Sequence, residues 1–179
     1  MSPQNVLDFW FKQTSPKLWF AQNATLDNQI KQKFGQLHAA AIAGELVEWR
    51  IDAQGRLAEI ILLDQFSRNL YRDQATAFAY DSMALVLAQE AVQHSRDQEL
   101  DIEQRVFLYM PYMHSESEKI HQTALALFSA LGDKSSLHYE KEHKKIIERF
   151  GRYPHRNKAL GRASTPDEIE FLKQPNSSF

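Results

Sequence analysis

The stretch RLAEIILLDQFSRNLYR, residues 56 to 72, constrains the fold more than any other part of the chain. Read as a helix, it carries Leu57, Ile60, Ile61, Leu62, Leu63 and Phe66 around nearly its whole circumference, and a helix apolar on every side has to be buried by others. Partners for it are plentiful. Only six glycines and six prolines occur in 179 residues, they fall at plausible helix boundaries, and no strand-like alternation is long enough to compete. The chain is therefore expected to be all-α, a single-domain antiparallel helical bundle over residues 1–179. Ser2-Pro3 and Ser15-Pro16 each read as an N-cap followed by proline in the first turn, and Thr165-Pro166-Asp167-Glu168 as a capping box opening a last short helix at about 166–173. Between them the pattern predicts helices at about 25–43, from Arg56 after a polar turn DAQG at 52–55, and at about 77–93, 101–113, 115–131 and 136–150. Gly132 and Gly151 are stops.

Composition narrows the class of function. Hydrophobic residues make up 43% and charged residues 25%, with a net charge of -2. That is globular, with no membrane-spanning run. With no cysteine, disulfides, thiolate nucleophiles and cysteine-held zinc or iron–sulfur sites are excluded. The opening MSPQNVLDFWF lacks the basic and apolar regions of a secretory signal, so a cytoplasmic location is expected. A pI near 6.4 argues against nucleic acid as a partner.

Against that background several polar groups stand out. Asp64 and Arg68 are four apart on the apolar helix, where burial is costly for a charge that lacks a partner; they are either an intrahelical ion pair or a pair that orients a ligand. Asp81 poses the same question on the next helix. Pro111 is expected to interrupt one helix and Ser115 with Glu118 to cap the next, which leaves His114 and Glu116 at a junction. On SSLHYEKEHKKIIERF, the stripe Tyr139, His143, Ile146, Phe150 puts His143 on an apolar face. Glu118-x-x-His121 and Glu140-x-x-His143 have the spacing of carboxylate-bridged di-metal bundles, but the two further glutamates such sites use are missing, so no metal and no cofactor are expected. Finally, residues 150 to 162, FGRYPHRNKALGR, hold three arginines, a lysine and a histidine without a carboxylate. Arg152, Arg156 and Asn157 there either lock the helices by pairing with Asp64, Asp81 or Glu116, or form an anion pocket with His155.

The segments ILLDQFSRNLYR, PYMHSESEKIHQ and HKKIIERFGRYPHRNKALGRASTPDEIEFL, with VLDFWF and AFAYD, together resemble the bacterial family called domain of unknown function 924, over nearly the whole chain and in the same order. The resemblance implies a tetratricopeptide-like helical fold, although no tetratricopeptide repeat signature is present, and it implies no established activity. It marks Asp64, Arg68, Asn69, His114, Glu116, His143, Arg152, His155, Arg156 and Asn157 as motif positions and leaves out Glu118 and His121. The resulting expectation is a pocket binding a small anionic metabolite. If the protein is an enzyme, His114 or His143 is the acid/base, Glu116 or Asp64 its orienting carboxylate, and Arg152 with Arg156 the charge stabiliser. Arg68, Asn69, His155 and Asn157 complete the ligand-binding set. The alternative is a non-enzymatic helical scaffold for a protein or peptide, with the same residues as internal locks. Neither nucleic acid nor membrane is expected as a partner.

Overall fold

Asp52 begins the central helix. Its carboxylate accepts the Gly55 N–H at 2.7 Å, which caps α3 (Ala53–Ile61). DAQG is thus the first turn of the helix and not a loop before it; aspartate serves both uses, and only the packing decides. The helix continues through a widened π turn, Leu62–Phe66, into α4 (Ser67–Leu70). In this computed structural model, which describes residues 1–175, 177 and 178, the remaining helices are α1 (Pro3–Leu7), α2 (Ala24–Ile42), α5 (Asp81–Gln93), α6 (Ile102–Met113), α7 (Glu118–Leu131), α8 (Lys134–Phe150) and α9 (Pro166–Phe171). Among the described residues there is no strand, and no helix is long and apolar enough to cross a membrane.

The bundle is built around α3 and α4. α3 packs on α1, α5 and α6, α4 packs on α2, and α6, α7 and α8 succeed one another along the other side. Leu57, Ala58, Ile60, Ile61, Leu62, Leu63 and Phe66 are all fully buried, as an apolar circumference requires. A smaller core of Ile146, Ile147 and Tyr153 with Phe150 and Phe171 joins the end of α8 to the C-terminal region. Gly151 has a φ of +67° and ends α8, turning the chain into the corner that carries the arginines.

Three local expectations need correction. Pro111 lies inside the last turn of α6 and does not break it before Met113. The N-cap of α7 is Ser117, not Ser115, because the segment His114–Ser117 turns its groups towards the C-terminal corner, and the Ser115 carbonyl accepts from His121 Nε2 at 2.9 Å. On α8 the inward stripe is Glu140, His143, Ile146 and Ile147. Tyr139 is 51% exposed; the stripe is turned by one residue so that Glu140 can meet His121.

Gly55 has a packing role. A Cβ there would run into the carbonyl of Trp49, in the tight turn Val47–Ile51 that rests on α3. Backbone cannot yield as a side-chain end can. Gly55→Ala is expected to lower stability by about 2 kcal/mol or more in urea unfolding; an unchanged midpoint would show that this turn does not bear on the helix.

Candidate functional site

The widened turn of the central helix carries Asp64, which is 1% exposed. Arg68 lies one turn later. Arg68 Nη1 is 3.1 Å from Asp64 Oδ1 and donates to the Asp64 carbonyl at 2.8 Å. The same guanidinium grips Asp81, at the start of α5, with both terminal nitrogens, at 2.9 and 3.0 Å. Asp81 also accepts from Arg156 Nη1 at 3.1 Å. Arg156 Nη2 donates to the His114 carbonyl at 3.0 Å, and His114 Nδ1 returns to Asp64 Oδ1 at 2.7 Å. Five residues from four separate segments thus close a ring.

Electrostatics set the protonation of the ring. Burial alone would raise the Asp64 carboxyl, but the Arg68 charge and hydrogen bonds from His114 and Gln65 outweigh it and hold Asp64 below the usual carboxylate range. An ionised Asp64 only accepts, so His114 Nδ1 carries the proton in that bond. Burial first, then the Arg68 guanidinium, keep His114 below its ordinary value. Its ring is neutral near pH 7, with the lone pair on Nε2. That nitrogen makes no hydrogen bond among the described residues. Arg68 is the other group with capacity to spare: its side chain is 21% exposed, and its Nε and second Nη2 hydrogen have no acceptor among the described residues.

Two more neutral histidines border the ring. His143 Nδ1 donates to the Tyr139 carbonyl at 2.8 Å, its ring centre 6.4 Å from that of His114. Burial holds it down at about 3. His155 is likewise held at about 3, by burial and then by Arg156 and Arg68. Both rings lie against Tyr153, at 5.7 and 5.6 Å. Tyr153 is fully buried and its hydroxyl donates to the Met113 carbonyl at 2.5 Å.

The other motif residues are committed elsewhere. Glu116 accepts both Nη groups of Arg162, at 2.6 and 2.9 Å, and the Tyr153 N–H at 2.8 Å. Arg152 forks onto Glu168 at 2.7 and 2.8 Å. Asn157 donates to Ser164 and Glu168 and accepts from Arg162. Asn69 donates to Asp27, which Arg72 also clamps. The structure therefore brings Asp64, Arg68, His114, His143, His155 and Arg156 together, joins Glu116 to them through Tyr153, and sends Arg152 and Asn69 to separate pairs. Arg156 is closed in: its guanidinium lies 4.7 Å from the Phe78 ring and 4.6 Å from the Tyr153 ring, and its Nε is buried with no acceptor among the described residues.

Sequence reasoning does not single out Tyr153, Arg162 or Glu168 for this corner. Tyr153 and Arg162 lie inside the basic stretch, where the net charge masks their individual roles, and the spacing of Glu168 announces only a cap. The two E-x-x-H spacings resolve into a cross-helix contact, His121 Nδ1 to Glu140 at 2.8 Å, with both side chains fully buried. Among the described residues no three His, Asp or Glu side chains gather as metal ligands. A shallow cleft of about 420 Å³ lies beside Arg149, Arg152 and Asp167, and another of about 480 Å³ beside Met1, Phe9 and Lys33. Neither touches the His114 ring.

A model of the family described as bacterial protein of unknown function (DUF924) matches residues 6–176. The chain belongs to that family. The solved structure of a protein of unknown function from Agrobacterium tumefaciens is similar to this DUF924 chain, with 39% identity over 97% of each chain and a TM-score of 0.92. No curated protein matches.

Two outcomes are expected of this network. Asp81→Asn leaves two guanidiniums facing each other with one acceptor fewer, and is expected to cost about 3–5 kcal/mol in denaturant unfolding; a loss under about 1 kcal/mol would mean the ring is solvated. Glu168 is held at about 2, chiefly by the Arg152 fork, which together with the Thr165 N–H and Asn157 outweighs burial. Its folded value lies below the unfolded one of about 4.3, so its contribution is complete above roughly pH 5 and fades as pH falls towards 2. The stability gap between the parent chain and Glu168→Gln should shrink over that interval. A gap independent of pH would refute the ionised pairing.

Proposed function

We propose that this protein binds a small anionic metabolite at the exposed edge of the Asp64–His114–Arg68 group, and that His114 acts there as the acid/base if the ligand is turned over. The observation that carries the reading is the 2.7 Å bond from His114 Nδ1 to buried Asp64. It fixes the tautomer, aims the ring, and leaves Nε2 as the atom with chemistry to offer. Arg68 supplies the second element. It shares Asp64 Oδ1 with His114, two of its N–H groups remain available, and a guanidinium suits carboxylate or phosphate. His143 and His155 flank the edge as neutral polar rings. Arg156 acts through position: it holds the His114 carbonyl and Asp81, and with Glu116, Arg152 and Asn157 it keeps the corner in place.

A second reading has an observation of its own. Two acids hydrogen-bonded into the corner are each matched by an arginine, Glu116 by Arg162 and Glu168 by Arg152, which is what internal locks in a tetratricopeptide-like scaffold for a peptide or protein would require. The two readings part on small-molecule binding. In a thermal-shift screen of phosphorylated and carboxylated metabolites, a ligand at about 100 times its Kd stabilises by roughly 2.7 kcal/mol, a rise in Tm of about 5 °C or more for a chain this size. Arg68→Lys, compared with its own ligand-free Tm, should abolish that rise. A complete screen without a shift, or a shift indifferent to Arg68→Lys, would favour the scaffold.

A further inference from the structure

We infer that an anion enters this site only together with a proton, and that the proton goes to His114 Nε2, so that ligand binding itself turns the neutral imidazole into a general acid. The inference rests on the binding site proposed above and concerns its charge. Asp64 and Asp81 face Arg68 and Arg156 within one ring of hydrogen bonds. Two negative groups meet two positive ones, and no positive charge is left over. An anion taking the remaining N–H groups of Arg68 would also meet the carboxylates of Asp64 and Asp81 on the same guanidinium. Burial makes an uncompensated charge there costly. A compensating proton has to come with it.

The groups that face His114 decide where that proton goes. From the central helix these are Asp64 and Arg68, from α5 Asp81, from α8 His143, and from the corner Tyr153, His155 and Arg156. The arginines are already charged. The Tyr153 hydroxyl already carries its proton, which it donates to the Met113 carbonyl. Asp64 already accepts from His114 and Gln65 and faces the Arg68 charge, which together hold it ionised. His155 sits beside two guanidiniums that oppose a further positive charge. His143 has a backbone carbonyl at Nδ1, not a carboxylate. His114 has an ionised carboxylate at 2.7 Å, so its imidazolium form is compensated within the protein. Burial and then the Arg68 guanidinium keep it neutral without ligand. An anion placed on Arg68 offsets the second of these and favours the charged ring.

The step balances simply: one proton leaves solvent, one N–H bond forms at Nε2, and no other bond changes. Phosphate and carboxylate ligands share this requirement. Linkage gives the sign. The complex binds one proton more than the free protein, so affinity rises as pH falls, by about tenfold per unit between the free and bound values of His114.

The test uses the full chain with two probes whose own charge is constant between pH 6 and 8: sulfate for tetrahedral oxyanions and acetate for carboxylates. Imidazole nitrogen NMR tracks His114 during each titration, assigned with His114→Asn. Saturation by the effective probe should convert Nε2 from a bare to a protonated nitrogen, and its Kd should weaken about tenfold for each unit of rising pH. That slope should vanish in His114→Asn; if this variant does not fold, the nitrogen signal of the parent chain decides alone. Binding with a pH-independent Kd and an unchanged Nε2 would overturn the inference and leave the site standing. A slope that persists in His114→Asn would place the proton elsewhere and also overturn it. If neither probe perturbs His114 or Arg68 signals, the site itself fails, and this inference with it.

Discussion

Asp81 is the acceptor on which the arrangement of the whole C-terminal half depends. One carboxylate serves two guanidiniums, Arg68 from the central helix and Arg156 from the corner, and both stand over the Phe78 ring, at 5.6 and 4.7 Å. Without it, two like charges would meet across an aromatic face. With it, the first turn of α5 ties a largely buried helix to a segment that has little regular structure of its own. Because Arg156 also holds the His114 carbonyl, the position of the histidine depends on the position of Asp81, although no hydrogen bond joins the two.

The corner after α8 is stabilised in layers. Glu116 reaches in from the α6–α7 junction and takes both the Tyr153 N–H and the Arg162 fork. Arg152, Asn157, Ser164 and Glu168 then close the outer side. These are hydrogen-bonded charge pairs in half-buried surroundings, where geometry is well defined and each partner satisfies the other. Their effect is to make a loop-rich segment as determinate as a helix. The buried rings of His143 and His155 are held beside this corner in neutral form.

Much of the fold is legible because helix boundaries are written in local chemistry. Pro166 with Thr165 and Glu168 forms the capping box its spacing announces, and Gly132 and Gly151 stop α7 and α8 in left-handed conformations. Where a residue has two local uses, packing decides the outcome: Asp52 becomes a cap and Ser115 an acceptor for His121. The candidate site is half legible. Asp64 and Arg68 announce themselves by a four-residue interval on an apolar helix. Nothing local reports that Asp64 will meet His114, that Glu116 belongs to Arg162, or that Asn69 belongs to Asp27, since each pairing spans tens of residues and exists only once the helices are stacked. The residue types that gather are readable, as are the Asp64–Arg68 interval and an arginine for Asp81; the other partners are not.

The widened turn at Leu62–Phe66 has a consequence for how such a helix can change. A π turn closes its hydrogen bonds one residue later than an α turn, so it stores a phase offset between the helical residues on its N-terminal side and those on its C-terminal side. Ala53–Ile61 presents side chains to α1, α5 and α6, whereas Ser67–Leu70 must aim Arg68 at Asp81 and Asn69 at Asp27. A uniform helix would couple those two azimuths rigidly. With the offset between them, the chain carries one residue more than a regular helix needs to hold both azimuths, so the loss of one residue inside the turn would leave a regular helix whose polar half still faces Asp81 and Asp27.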